Sequence, residues 1–204
     1  MEANLGLFLL SAVGISLTGV MLPGPMTAAT IAKGYSDKNA GMLIAAGHAV
    51  VEIPLIAVIY LGFGDLVGDP QVVRVIHVAG GLMLFYLGFG IFRSAGNMPN
   101  EVGGLPTSSL LTGIVLTGAN PGFYIWWVTV GISLVVGATA FGLIGIFFFA
   151  LAHWSCDLGW CEFLSVGTFK SRRWWTQKLQ RIVFSCCAFV LIGFGVWFCL
   201  SAFF

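Results

Sequence analysis

The sequence predicts an all-helical polytopic membrane protein with six transmembrane helices, arranged as two inverted three-helix repeats. Three observations carry this. The 204 residues are 58% hydrophobic and only 8% Asp, Glu, Lys and Arg, against about 25% charged in an average soluble domain. The apolar residues form continuous runs of about 20, the length that crosses a bilayer as a helix. The basic residues fall almost entirely on one side of a six-span reading. A mean hydropathy of +0.98 agrees, and lipid is the expected solvent for much of the surface.

The spans are expected near residues 5–32, 40–63, 72–93, 108–136, 139–165 and 180–203. Leu5 to Leu22 is apolar, but Met1–Asn4 contains Glu2 and no Lys or Arg. A signal peptide wants a positive n-region, so this run is expected to be the first span. Strands are not expected, because the runs lack the short alternating segments of a barrel. The joins are Tyr35–Asn39, Gly64–Pro70, Ser94–Thr107, Gly137–Thr139 and Gly167–Gln177. The chain thus reads as one transmembrane domain: repeat A at 1–93, a cytoplasmic linker at 94–107 and repeat B at 108–204.

Lys33, Lys38, Arg93, Lys170, Arg172, Arg173, Lys178 and Arg181 lie on one face of this arrangement, eight of the nine basic residues, and only Arg74 on the other. The positive-inside rule places joins one, three and five in the cytoplasm and both termini outside, in a cell (inner or plasma) membrane. Trp174 and Trp175 beside the basic cluster suit headgroup depth. A net charge of +1 with no basic block interleaved with aromatics gives no reason to expect nucleic acid.

Two features recur in the halves. Leu22-Pro23-Gly24-Pro25 interrupts the first span and Gly118-Ala119-Asn120-Pro121-Gly122 the fourth. Proline lacks an amide donor, so continuous helices would free the carbonyls of Gly19 and Met21 in the first span and Thr117 in the fourth. Such carbonyls are tolerated in a bilayer only inside protein or along a cavity. The following spans carry His48 with Glu52 and His153 with Asp157. A spacing of four puts both groups of each pair on one helical face, within reach of a mutual hydrogen bond. Prolines also merely kink membrane helices, and a His can satisfy its own acid structurally. Even so, a carboxylate at membrane depth is costly and usually marks a functional path. With three spans per half, the second half crosses in the opposite sense, the inverted arrangement common in secondary transporters.

The glycines at 80, 81, 88, 90, 142, 145, 193 and 195 are expected to be helix-packing surfaces. No Gly-x-x-x-x-Gly-Lys-Ser/Thr motif is present, so no phosphate-loop ATPase is encoded. His77, near Arg74, is expected at the interface. The five cysteines, Cys156, Cys161, Cys186, Cys187 and Cys199, form no C-x-x-C pair and read as small buried apolar side chains.

The opening helix with Leu22-Pro23-Gly24-Pro25-Met26, the Ala-rich segment to Lys33-Gly34, the small-residue second span with Gly41, Gly47 and Glu52, and the Asn120-Pro121 break resemble the lysine-exporter superfamily (LysE/RhtB) of translocators over nearly the whole chain. That resemblance implies a membrane exporter of amino acids or related small metabolites, an ion-gradient coupling and a homodimer, with Pro23, Gly24, Pro25, Asn120 and Pro121 as the matching positions. Family members commonly carry Lys after the Asn-Pro and Asp in the second span; here Gly122 and Glu52 stand there.

The expected function is therefore export of a small solute in antiport with protons, with no enzymatic activity and no cofactor. The transport path is assigned to His48, Glu52, His153, Asp157 and Asn120. The alternative is export of a divalent metal or other cation, with His48, Glu52, His153 and Asp157 as its ligands, because imidazole and carboxylate suit several transition metals. A membrane thiol or electron relay is a further alternative, against which spans one and four contain no cysteine. A structural membrane subunit is the last, favoured if the pairs face lipid. The topology has a direct test: in a Cys-free background, Asn100→Cys should react with impermeant thiol reagents only from the cytoplasmic side, and labelling from outside intact cells would overturn the orientation.

Overall fold

The computed structural model describes residues 4–63, 69–94 and 104–203. Most of those residues are helical, with no strand among them. The chain runs α1 (Leu5–Val20), α2 (Pro25–Gly34), α3 (Ala40–Val58, ending in a π turn at Ile59–Phe63), α4 (Pro70–Ser94), α5 (Ser109–Gly118), α6 (Pro121–Thr139), α7 (Gly142–Ser171) and α8 (Gln177–Ser201). Helices α3, α4, α6, α7 and α8 are each long and apolar enough to cross a bilayer. The pair α1–α2 passes the same test only when taken together, bent by 77° at its break, so the described helices give five spans, or six with the bent pair counted as one. The protein is a polytopic all-α membrane protein, as the composition predicts.

The breaks are sharper than kinks. Helix α1 stops at Val20, and α2 restarts with Pro25 as its first residue after an extended Gly24. Proline suits that position because its missing amide would have no helical partner there. Helix α5 stops at Gly118, and α6 restarts at Pro121 with Asn120 as its cap. The expectation of freed carbonyls needs correcting at two positions. The Gly19 carbonyl accepts from the Leu22 amide at 3.2 Å, and that of Thr117 from the Asn120 amide at 3.2 Å. Each helix ends in a tight turn that satisfies its own carbonyl instead of running on past the proline. Met21 is the cap residue of α1, its amide donating to Leu17.

Two joins also differ. Helix α7 continues to Ser171, and a short 3-10 turn at Arg172–Trp174 leads almost directly into α8, so most of the expected 167–177 loop is helical. The Gly137–Thr139 join lies two to three residues later. Gly137 packs inside α6 beside Phe8, and the turn is made by Gly142 at φ 64°. A π turn at Trp127–Gly131 inside α6 has no sequence signal. The expected loops Gly64–Pro70 and Ser94–Thr107 lie largely outside the described residues.

Packing follows the two-repeat plan. Helix α3 packs on α5 as α7 packs on α1; α3 meets α7, and α4 meets α8. Exchanging the halves maps these partnerships onto one another. Small residues set the closest approaches. A Cβ at Gly47 would run into the Leu110 carbonyl and one at Gly113 into the Ile44 carbonyl, so α3 and α5 touch backbone to backbone. Gly34 and Gly41 meet α7 at Ser165 and Cys161. Large apolar side chains such as Leu10, Ile53, Val75, Leu143, Phe147 and Phe189 point outward, as lipid-facing residues do.

Gly47→Val and Gly113→Val should therefore each lower the melting temperature of the detergent-solubilised protein, overpacking a helix contact at a cost of about 1–3 kcal/mol. Gly159→Ala, where an added methyl meets nothing within 4 Å, should leave it unchanged or slightly raised. Equal melting temperatures for all three would mean that the close α3–α5 contact is not built as described.

Candidate transport site

The buried stripe of α3 runs through Gly41, Ile44, Ala45, His48, Glu52 and Leu55, and that of α7 through Gly145, Phe149, His153, Asp157, Cys161 and Ser165. Steps of three and four residues keep each set on one helical face. Because α3 and α7 pack together, the two polar pairs meet and form one cluster.

Its centre is Glu52, only 1% exposed. Its Oε1 lies 3.0 Å from His48 Nε2 and 3.0 Å from His153 Nε2. Asp157 stands further off, 3.8 Å from His48 Nε2 and 3.9 Å from His153 Nε2. The first pair thus makes the hydrogen bond within its own helix that the spacing allows, and the second does not. His153 turns across to the glutamate of the opposite repeat, because the shared oxygen lies closer than its own aspartate. Among the described residues, no hydrogen-bond partner reaches Glu52 Oε2 or Asp157 Oδ2.

The other side of each imidazole meets a hydroxyl. His48 Nδ1 lies 2.9 Å from Thr117 Oγ1 on α5, and His153 Nδ1 lies 2.6 Å from Ser16 Oγ on α1. Each histidine is thus held by the first half of the other repeat's broken span. Aromatic rings complete the walls. Trp126 and Phe149 stack on His153 with ring centres at 5.1 and 5.9 Å, and Trp127 meets it edge-on at 5.3 Å. Phe123 meets His48 edge-on at 5.3 Å. The π turn starts at Trp127, and Gly131 leaves room for its fully buried indole. Insertions of this kind in helices often accompany functional sites.

The tetrad lines a cavity of about 470 Å³, within the usual range of small-molecule pockets, roughly 300–1,000 Å³. Both breaks border it, through Pro23, Gly24 and Pro25 on one side and Asn120 and Gly122 on the other. Asn120 accepts the Gly122 amide through its side chain at 3.1 Å, so its role visible here is to cap α6. Gly24 provides no side-chain cap for α2, leaving the positive end of that helix toward the cavity. Pro121 is buried at the start of α6 and borders a separate small cavity with His77 and Tyr124. His77 is buried, its Nδ1 2.8 Å from the Val73 carbonyl.

Ligand atoms of His48, Glu52 and Asp157 lie within 4.8 Å of one another, close enough to converge on one cation. Sequence reasoning missed Ser16, Phe123, Trp126, Trp127 and Phe149, and took Thr117 for its carbonyl rather than its hydroxyl. A hydroxyl shortly before each proline break was the available signal, though Thr18 shares that position with Ser16 in the first; nothing in the sequence sets these aromatic residues apart from the other apolar positions.

No curated protein and no solved structure matches the chain. The family model described as LysE type translocator matches residues 17–202, a stretch that takes in both breaks, all four members of the tetrad and Thr117. The chain belongs to the LysE type translocator family.

Proposed function

We propose that the protein is a secondary exporter of amino acids or a related small metabolite in the cell membrane, exchanging its cargo for protons at the tetrad of His48, Glu52, His153 and Asp157. The observation that carries this reading is the meeting of two ionisable pairs, one from each repeat, in a buried cluster on a cavity bordered by both helix breaks. Ionisable groups at membrane depth are costly and concentrate along transport and proton pathways. Discontinuous helices at a repeat interface are where such sites lie.

The cavity has two electrical poles suited to a zwitterion. The uncapped start of α2 at Gly24 favours a carboxylate, as helix N-termini do. The unpartnered oxygens of Glu52 and Asp157 favour an ammonium group. Apolar walls from Met26, Phe123 and Trp197 leave room for a modest side chain. The prolines let α1 and α5 move separately from α2 and α6, so that access can alternate about a fixed site.

A second reading, export of a divalent cation, is favoured by the convergence of His48, Glu52 and Asp157. Proteoliposome flux under an imposed pH gradient separates the two, with candidate cargo chosen by metabolite profiling of cells with and without the gene. Glu52→Gln and Asp157→Asn should insert normally yet lose gradient-driven flux by about tenfold or more, each ~1.4 kcal/mol of lost charge interaction being worth a factor of ten. Full proton-driven flux in both variants with an unchanged pH profile would remove the proton role. Metal-dependent binding that disappears in His48→Gln and His153→Gln would put the cation reading in its place.

The breaks make a separate prediction. Pro23→Ala with Pro25→Ala removes what stops α1 from running on, so the variant should reach the membrane at normal levels and lose flux. Pro121→Ala should behave in the same way. Normal flux in both at matched expression would mean that the prolines only shape the helices.

A further inference from the structure

We propose that Ser16 and Thr117 are positioning residues of this site: each hydroxyl holds the imidazole of the opposite repeat as its Nδ1–H tautomer, so that both Nε2 atoms face Glu52. The functional consequence rests on the tetrad being the transport site; the tautomer assignment does not.

The argument is a count of hydrogens. Ser16 Oγ lies 2.7 Å from the Ala12 carbonyl, and Thr117 Oγ1 lies 2.7 Å from the Gly113 carbonyl, each four residues back in its own helix. A carbonyl can only accept, and a hydroxyl has one hydrogen. Each hydroxyl hydrogen is therefore used within its helix, as serine and threonine commonly do in apolar helices. What remains toward the histidine is an oxygen lone pair. The contacts at 2.6 Å to His153 Nδ1 and 2.9 Å to His48 Nδ1 are then N–H groups donating to hydroxyl oxygens. Ser16 and Thr117 are fully buried, and His48 and His153 are buried beside them.

With Nδ1 carrying a fixed hydrogen, Nε2 is the variable position on both rings. Both Nε2 atoms lie 3.0 Å from the same Oε1. Two hydrogen bonds among three atoms need two hydrogens, on the two nitrogens or on one nitrogen and the oxygen. Either arrangement gives the trio a net charge of one positive unit. An ionised Asp157, 3.8 and 3.9 Å from the two Nε2 atoms, makes the cluster neutral, the least costly state for a desolvated site. Removing both hydrogens would leave two negative charges facing the cavity, a state that a cationic group of the cargo would partly balance.

The hydroxyls also link the site to the moving parts. Ser16 and Thr117 sit on α1 and α5, the halves of the broken spans that precede the prolines. Displacing either half-helix withdraws a hydroxyl from a histidine of the other repeat and frees that ring to change tautomer.

Nitrogen-15 NMR of the full-length protein in lipid, with labelled histidine, reads this directly. The chain has three histidines, and His77→Gln removes the one outside the tetrad. Both remaining imidazoles should carry a hydrogen on Nδ1. Ser16→Ala should shift or abolish that signal for His153 alone, and Thr117→Val for His48 alone. Ser16→Thr and Thr117→Ser should restore them. A bare Nδ1 on either ring of the otherwise wild-type protein, or Nδ1 signals unmoved by Ser16→Ala and Thr117→Val, overturns the proposal. The measurement needs no cargo, so it can fail while proton-driven flux stands, and flux can fail while the signature stands.

Discussion

One carboxylate oxygen shared by two imidazoles organises this molecule. Glu52 Oε1 lies 3.0 Å from a histidine of its own repeat and 3.0 Å from one of the other. A carboxylate this deeply buried would be untenable with only apolar neighbours. Its presence therefore requires both histidines, and the histidines in turn require something to hold their far nitrogens. Those holders are hydroxyls on the two helices that stop short at the breaks. The polar core is thus a chain from α1 through α7 and α3 to α5, and each link crosses between repeats except the bond from His48 to Glu52.

The geometry depends equally on what is small. Helices α3 and α5 touch through Gly47 and Gly113, and Gly34 and Gly41 let the N-terminal half meet α7. Larger residues would hold the helices further apart, and a contact of 3.0 Å between side chains on different helices tolerates little separation. Apolar packing between membrane helices lacks the hydrophobic drive available in water. Close backbone approach and buried polar links are therefore a large part of what fixes the arrangement.

The helix breaks serve a different purpose from supplying bare carbonyls. The turns at Gly19–Leu22 and Thr117–Asn120 satisfy those carbonyls locally. What the breaks contribute is direction: a 77° bend between α1 and α2 and a positive helix end at Gly24 beside the cavity. Membership of the LysE type translocator family fits a molecule whose polar groups are gathered at a cavity between such segments rather than spread along a surface.

The sequence by itself determined the membrane class, the spanning runs, both breaks and the two His–acid pairs. Each is a property of local composition or of spacing along one helix: apolar runs long enough to cross, prolines without an amide, and residues four apart on one face. The tertiary structure decided how the pairs combine. His153 chooses Glu52 over its own Asp157, Ser16 and Thr117 reach histidines 137 and 69 residues away, and Trp126, Trp127 and Phe149 close around one ring. None of these follows from spacing, because each depends on the distance and rotation between helices. Those are set by which glycines meet which backbones, information that belongs to pairs of segments and not to either one alone.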